Sequence, residues 1–433
     1  MSTRPRDLTR ALSLLTAAAV AGLSGCGAGL RPSAAVAGHG RGAISLAAAM
    51  SPASSPRGNA LAVAHDEQGF ALSLLRRLGP SSPNLVMSPS SLATLLAMVE
   101  PGAAGPTQDG IAQTLQSAGL SASDQAGGWG ALDATIAGQV SADQIVLDTA
   151  NQAWFQTGLP VRPSYVGLLG ADFHTGVHET DIQGDPAAAA HTINAWVGSH
   201  TGGHINQLVT PVELADVVAL LVDAVYMKAS WANRFDAAET APAPFHVAPT
   251  MTVHVPTMEG SFEAPASVSS SLDAAELGYQ GDDLSALVLM PPVGQLAAFE
   301  RELTPAGLAL IVGGLRPQPV NVRMPRFSVG SALSLKHVLS AMGMSQAFTN
   351  GADFSNLSPQ PLQLSFVVQD AQMKVNENGT EASAASAAGV TPTAVRRPRP
   401  ELNLVFDHPF LFLVRDNSTG LIIFATQVDN PAT

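Results

Sequence analysis

The sequence is poor in cysteine, lysine, aromatic side chains and charge. Its one cysteine, Cys26, excludes an intramolecular disulfide and any multi-thiolate zinc or iron–sulfur centre. Lysine occurs only as Lys228, Lys336 and Lys374, and charged residues make up 13% of the chain. The net charge of −13 argues against nucleic acid or an anionic membrane as the main partner. Motifs of common enzymes are missing too. There is no G-x-S-x-G elbow, Walker loop, dinucleotide fingerprint or H-E-x-x-H, and no pair of carboxylates stands out. His200 and His204 are four apart, with His191 upstream, and on one helix face they could bind a metal. Thr201-Gly202-Gly203 between them reads instead as a helix end with surface or capping histidines. The expectation is therefore no enzyme, no metal and no cofactor. Hydrophobic residues, in contrast, reach 46% of 433, ample for a large core.

Arg4, Arg6 and Arg10 precede an apolar run from Ala11 to Gly25. The run is too short for a spanning helix of about 20 residues and reads as a secretory signal peptide. Leu23-Ser24-Gly25-Cys26 resembles the lipobox of bacterial lipoproteins, which implies cleavage after residue 25 and a lipidated Cys26. Acyl chains then anchor at about 0.8 kcal/mol per buried methylene. The expected organisation is a signal at residues 1–25, a lipidated cysteine and Gly/Ala/Ser/Pro-rich tether at 26–60, and one domain at 61–433. Without the signal, 18 basic residues face 33 acidic ones. The implied location is the cell envelope or outside the cell, with membrane contact only through the lipid.

Along the domain, apolar spacing predicts a helix over Ala62–Leu78, ended by Gly79-Pro80. Leu85–Met87 reads as a strand. Ser88-Pro89-Ser90-Ser91 starts a buried helix through Val99, with hydroxyls as caps and Pro in the first turn. Gln144–Phe155, Val217–Met227, Ser285–Met290 and Val320–Val329 read as strands. Ala187–Ser199 and Leu333–Met342 read as helices, the latter stopped by Gly343. Phe410–Arg415 and Leu421–Val428 flank a hairpin turn. Helices and strands mix without βαβ alternation, so the fold class is α+β with large, mainly antiparallel sheets.

From Ala382 to Ala394 the chain carries no charge and hardly a large side chain, before Arg396, Arg397 and Arg399 appear among prolines. A linker has no reason to avoid charge for so long. A segment that enters a sheet does, because alternate residues then face the core. With Thr380 inward, Ala382, Ala384, Ser386, Ala388 and Val390 are inward too. Gly379 is a plausible hinge.

Blocks spread over most of the chain carry a family resemblance. They include Asn84-Leu-Val-Met-Ser-Pro-Ser-Ser91, Ile193-Asn-Ala-Trp-Val197 with Thr201-Gly-Gly-His-Ile205, and Val225-Tyr-Met-Lys-Ala-Ser-Trp231. Met324-Pro-Arg-Phe327, Met342-Gly-Met-Ser-Gln-Ala-Phe348, Val375-Asn-Glu-Asn-Gly-Thr-Glu-Ala382 and Asp407-His-Pro-Phe-Leu-Phe412 follow. From about Val63 to Pro431 the chain resembles the serpins. The resemblance implies the serpin fold: large sheets, about eight or nine helices and an exposed reactive loop. It also implies a suicide inhibitor of serine proteases. A target cleaves the loop and is held as an acyl-enzyme while the loop inserts as a central strand. About fourteen residues at about 3.3 Å each would carry the protease some 46 Å.

The hinge would be Glu377, Gly379, Thr380, Ala382, Ala384 and Ala385, permissive for insertion. Counting about fourteen from Gly379 gives Thr393–Ala394 as the reactive bond, suited to elastase- or subtilisin-like enzymes. Val395, Arg396 and Arg397 are alternatives, the arginines suiting trypsin-like ones. Ser88, Ser91, Asp223, Trp231 and Gln369 fall at positions that control the sheet. Asp223 and Gln369 replace the family's usual Asn and His there, and an Asp–Gln pair can hydrogen-bond with Gln donating. Thr426 replaces a common Gly. The protein is expected as a monomer that binds no nucleic acid. The alternative is a non-inhibitory serpin acting as a surface binding module.

Overall fold

The computed structural model describes residues 44–46, 57–79, 84–117, 119–143, 145–380 and 402–433. In chain order the elements begin with β1 (Ile44–Leu46), α1 (Arg57–Leu78), β2 (Asn84–Met87), α2 (Pro89–Val99), α3 (Gly105–Leu115) and α4 (Ala122–Ala142). Next are β3 (Val146–Gln156), α5 (Pro163–Asp172), β4 (Val177–Thr180), α6 (Pro186–His200), β5 (Ala219–Ser230), β6 (Ala241–Ala248), β7 (Met251–Val268), β8 (Asp273–Gly278) and β9 (Leu284–Met290). The chain continues through α7 (Leu296–Glu302), α8 (Pro305–Gly314), β10 (Arg316–Pro325), β11 (Phe327–Ser334), α9 (Lys336–Met342) and β12 (Phe366–Asn376). It closes with β13 (Gly379–Thr380), β14 (Leu402–Val405), β15 (Phe410–Asp416) and β16 (Ile422–Val428).

Local chemistry sets several boundaries. Ser88 lies outside the helical region and its hydroxyl caps Ser91 N, with Pro89 opening α2. Asp185 caps α6 at Ala188 N, 3.0 Å away. Gly420 supplies the positive φ of 77° in the turn between β15 and β16.

Two mixed sheets result. One runs β1-β4-β3-β5-β13-β12-β11, the other β14-β10-β7-β8-β9-β15-β16-β2, with β6 on β7. The large core lies between the sheets and under α1 and α2. A second cluster, with Trp154, Ile193, Val197, Leu220 and Val222, fills the opposite side of the first sheet beneath α6. β5 is thus buried on both faces, which explains its unbroken apolar run.

Three expectations are corrected. Val320–Val329 is not one strand. β10 ends at Pro325, which has no N–H to donate, and Arg326 N bonds Pro256 O at 2.8 Å while the chain crosses to the other sheet as β11. Leu333 belongs to β11, so the following helix starts at Lys336. The stretch read as tether contributes both β1, paired antiparallel with β4, and the first turn of α1 from Arg57. Extending a nucleated helix costs little, and Ile44-Ser45-Leu46 has the alternation of an edge strand.

Candidate functional site

β5 and β12 are parallel neighbours over seven pairs, from Leu220 opposite Phe366 to Tyr226 opposite Gln372. Each is antiparallel to its other neighbour, β3 or β11. Past Tyr226 the two strands admit a third. The chain turns after Asn376, and β13 enters between them: Gly379 opposite Ser230 and Asn376, Thr380 opposite Ala229 and Val375. β13 is antiparallel to both flanking strands. Gly379 has a φ of 144°, and a Cβ there would lie 1.9 Å from Ala229 O, so only glycine fits.

The upper end of this gap is a polar clamp on an aromatic floor. Trp231 stacks on Tyr279 with centroids 4.7 Å apart and donates Nε1–H to Asn376 O at 2.9 Å. The buried Thr380 hydroxyl sits 2.6 Å from the Tyr279 hydroxyl. Glu377 is buried, and its carboxylate accepts from Arg326 Nε at 2.6 Å and from the Thr240 hydroxyl. Burial raises the Glu377 carboxyl, but these donors and the Arg326 charge outweigh it and hold the group below its ordinary value.

Midway down, a second cluster joins α2 to four strands, β3, β5, β12 and β16. Gln369 Nε2 donates to Asp223 Oδ2 at 2.5 Å and to Ser88 O at 2.9 Å, while its Oε1 accepts from Ser88 N at 3.0 Å. Ser88 Oγ donates to Ile423 O at 2.7 Å. The Ser91 hydroxyl lies 2.7 Å from both Asp223 Oδ1 and Asn151 Oδ1. Asp223 is fully buried. Burial pushes its carboxyl up to about 7.

The structure thus brings together Ser88, Ser91, Asp223 and Gln369, and separately Trp231, Glu377, Gly379 and Thr380. Ala382, Ala384, Ala385, Thr393, Ala394, Val395, Arg396, Arg397 and Cys26 lie outside the described residues. The histidines have other partners: His204 stacks on Tyr226 at 3.6 Å, and His200 Nδ1 bonds Trp196 O at 2.8 Å. Among the described residues no group of three or more His, Cys, Asp or Glu is placed to hold a metal. Sequence reasoning assigned no site role to Asn151, Tyr279, Thr240 or Arg326, although Arg326 lies in the Met324-Pro-Arg-Phe327 block.

The chain matches the family model Serpin (serine protease inhibitor) over residues 65–431. It is 35% identical over 367 residues to a serpin-like protein of Thermococcus kodakarensis, covering 84% of each chain. It is 31% identical over 363 residues to neuroserpin of Mus musculus, covering 81% of this chain and 87% of that one. The crystal structure of Serpin48, a highly specific serpin of the insect Tenebrio molitor, superposes with a TM-score of 0.75 at 26% identity. That match covers 85% of this chain and 98% of the other.

Proposed function

The chain belongs to the serpins, and from that premise we propose that it inhibits a serine protease as a suicide substrate. The protease's serine hydroxyl adds to the Thr393 carbonyl, and the Thr393–Ala394 bond breaks. The Ala394 amine leaves with a proton, and the ester holds the enzyme on the new C-terminus. Residues after Thr380 then extend β13 down the gap before water hydrolyses the ester. The nucleophile is the target's; this chain contributes a sheet with room for one more strand.

The observation that supports the reading is the parallel pair β5–β12 with an antiparallel strand already begun between them. A full strand there would be antiparallel on both sides, and its backbone N–H and C=O groups would all find partners. Continuing the register of β13 sets Ala382 against Met227 and Met373, and Ala384 against Val225 and Ala371. Ser386 then falls between Asp223 and Gln369. Small residues meet the packed core face, and the hydroxyl meets the polar pair that its arrival separates. A small residue at the reactive bond favours elastase- or subtilisin-like targets. The sequence around Cys26 supports export and a lipid anchor.

The test is incubation of the purified chain with elastase, subtilisin and trypsin, followed by denaturing gels and mass analysis of the released peptide. A covalent band of summed mass, with a peptide beginning at Ala394, is expected with one of the first two. A trypsin complex releasing a peptide that begins at Arg397 would move the bond to Arg396. Cleavage in the loop with neither a complex nor a rise in thermal stability would refute insertion.

A further inference from the structure

We propose that the carboxyl of Asp223 carries a proton and that this proton, given to Ser91, latches β5 to β12 in a pH-dependent way. The proposal rests on the insertion reading for its purpose, since the latched strands are those an inserting loop must part.

The argument is a count of protons. The Ser91 hydroxyl has one and lies 2.7 Å from two oxygens, Asn151 Oδ1 and Asp223 Oδ1. If Asp223 were ionised, both would be acceptors and one contact would set oxygen against oxygen. Turning the Asn151 amide does not help. Its Nδ2 donates to Ser91 O at 3.2 Å, so the flip would place two acceptors there instead. The Gln369 amide is fixed as well, because Ser88 offers it both a donor N–H and an acceptor carbonyl. Gln369 therefore donates to Asp223 Oδ2. Only Asp223 Oδ1 can carry the missing proton. Asp223 then donates to Ser91, Ser91 to Asn151, and Asn151 back to Ser91 O. Every polar group in the circuit is satisfied, and α2, β3, β5 and β12 are tied together.

Among the described residues no cation balances a charge at this point. α2 presents Ser88 and Ser91, β3 presents Asn151, and β12 presents Gln369. On the strands, Lys228, Lys374, Asp148 and Asp370 occupy the alternate positions that face the other side of the sheet. α4 presents Asp133, a carboxyl 3.4 Å from Thr94 Oγ1 that burial itself pushes up to about 7. Burial acts in the same direction as the count.

Loss of the proton breaks the circuit and leaves an uncompensated anion in the closed sheet. Once the strands part, the carboxyl ionises at its ordinary value. Gap opening should therefore become about tenfold more frequent between pH 6 and pH 8. Asp223→Asn mimics the protonated acid, with NH₂ toward Ser91 and oxygen toward Gln369, and should abolish that dependence.

The direct test is infrared spectroscopy of the full chain labelled with ¹³C-aspartate, with the spectrum of the D223N protein subtracted. A carboxylic-acid C=O band is expected at pH 6 and should be lost with a midpoint between pH 6 and pH 8. Hydrogen exchange of amides 220–226, corrected for intrinsic pH dependence, should show the tenfold rise in wild type and a flat profile in D223N. Ser91→Ala gives a sign test. Removing the acceptor of the acid's proton should lower the midpoint, whereas removing a donor to a carboxylate would raise it. No acid band at pH 6, or an upward shift in S91A, overturns the proposal. Protease trapping with the band absent refutes the proton alone, and a band without trapping refutes the suicide reading alone.

Discussion

Glu377 and Asp223 lie on the same gap between β5 and β12, and both are buried. Burial penalises both anions, yet their environments differ. Glu377 meets the Arg326 guanidinium and a hydroxyl donor, and it is held ionised. Asp223 meets only uncharged partners, one donor from Gln369 and a Ser91 hydroxyl whose proton goes to Asn151, and it is held neutral. The contrast shows that burial alone does not fix a carboxyl's state. The nearest cation and the donor count decide it. It also divides the gap into a charged clamp where β13 has entered and a neutral latch where nothing has.

The largest break in this contrast comes from putting a charge where β13 sits. Thr380 is fully buried against Tyr279, so Thr380→Arg brings in a cation with no partner. At ~3 kcal/mol or more for an unpaired buried charge, β13 should be expelled, with a more than hundredfold fall in the fraction of protease trapped. Gel densitometry of complex against cleaved chain reads this directly. Trapping at the wild-type ratio would mean that β13 entry is not on the path.

Next in size is the pH profile of stability. Glu67 and Glu300 are buried with one oxygen each unpartnered among the described residues, and burial pushes both up to about 8. Glu100 rises to about 7 for the same reason. In the unfolded chain these groups ionise near 4.5. Between about pH 4.5 and pH 8 unfolding therefore releases protons, and stability must fall as pH rises. Calorimetry should find Tm lower by ~5 °C or more at pH 8.5 than at pH 5.5. Glu67→Gln keeps the acceptor for Ile422 N, 3.0 Å away. It should recover part of the loss at pH 8.5 and change nothing at pH 4.

Glu377 has the opposite sign. Its folded value is lowered, so its contribution exists above about 4.5 and disappears as pH falls through the folded value. Glu377→Ala leaves Arg326 unpaired, but the Arg326 side chain is 42% exposed, so water takes over part of its solvation. The cost should be ~1–2 kcal/mol, a Tm drop of ~2–4 °C at pH 7 that shrinks as pH falls below about 4.5. A drop that does not shrink with pH would assign the loss to packing.

Elements with local punctuation were legible in the sequence. α2 has its cap and first-turn proline, the β15–β16 hairpin its glycine turn, and β9 its apolar run. Others were hidden by the same residue types. α4 carries Gly127, Gly128, Gly130 and Gly138, which read as breakers. Yet a Cβ at Gly128 would lie 2.9 Å from Asn59 O, and one at Gly130 1.9 Å from Asp172 O, so tertiary packing demands two of them. β7 holds Pro256, Gly260 and Pro265, which argue against a central strand, yet it pairs with β6, β8 and β10. At the site, alternation around Thr380 marks the segment proposed to insert, and family resemblance alone singled out Asp223 and Gln369. The proton count depends on which oxygen faces which nitrogen across four elements, and no linear pattern contains that.

The smallest effect sharpens the contrast from outside the gap. Thr426 on β16 is fully buried, opposite Val86 and Phe412, and its Oγ1 has no partner among the described residues. Asp223 is a buried polar group whose partners justify it; Thr426 is one without any. Thr426→Val removes an unsatisfied hydroxyl at nearly constant volume. Relief of that desolvation cost should stabilise the chain by ~1 kcal/mol, raising Tm by ~1–2 °C and leaving the infrared band of Asp223 untouched. A fall in Tm would mean that the hydroxyl is bonded, by an ordered water or a strand shift, and that the sheet under α1 tolerates polarity as well as the gap does.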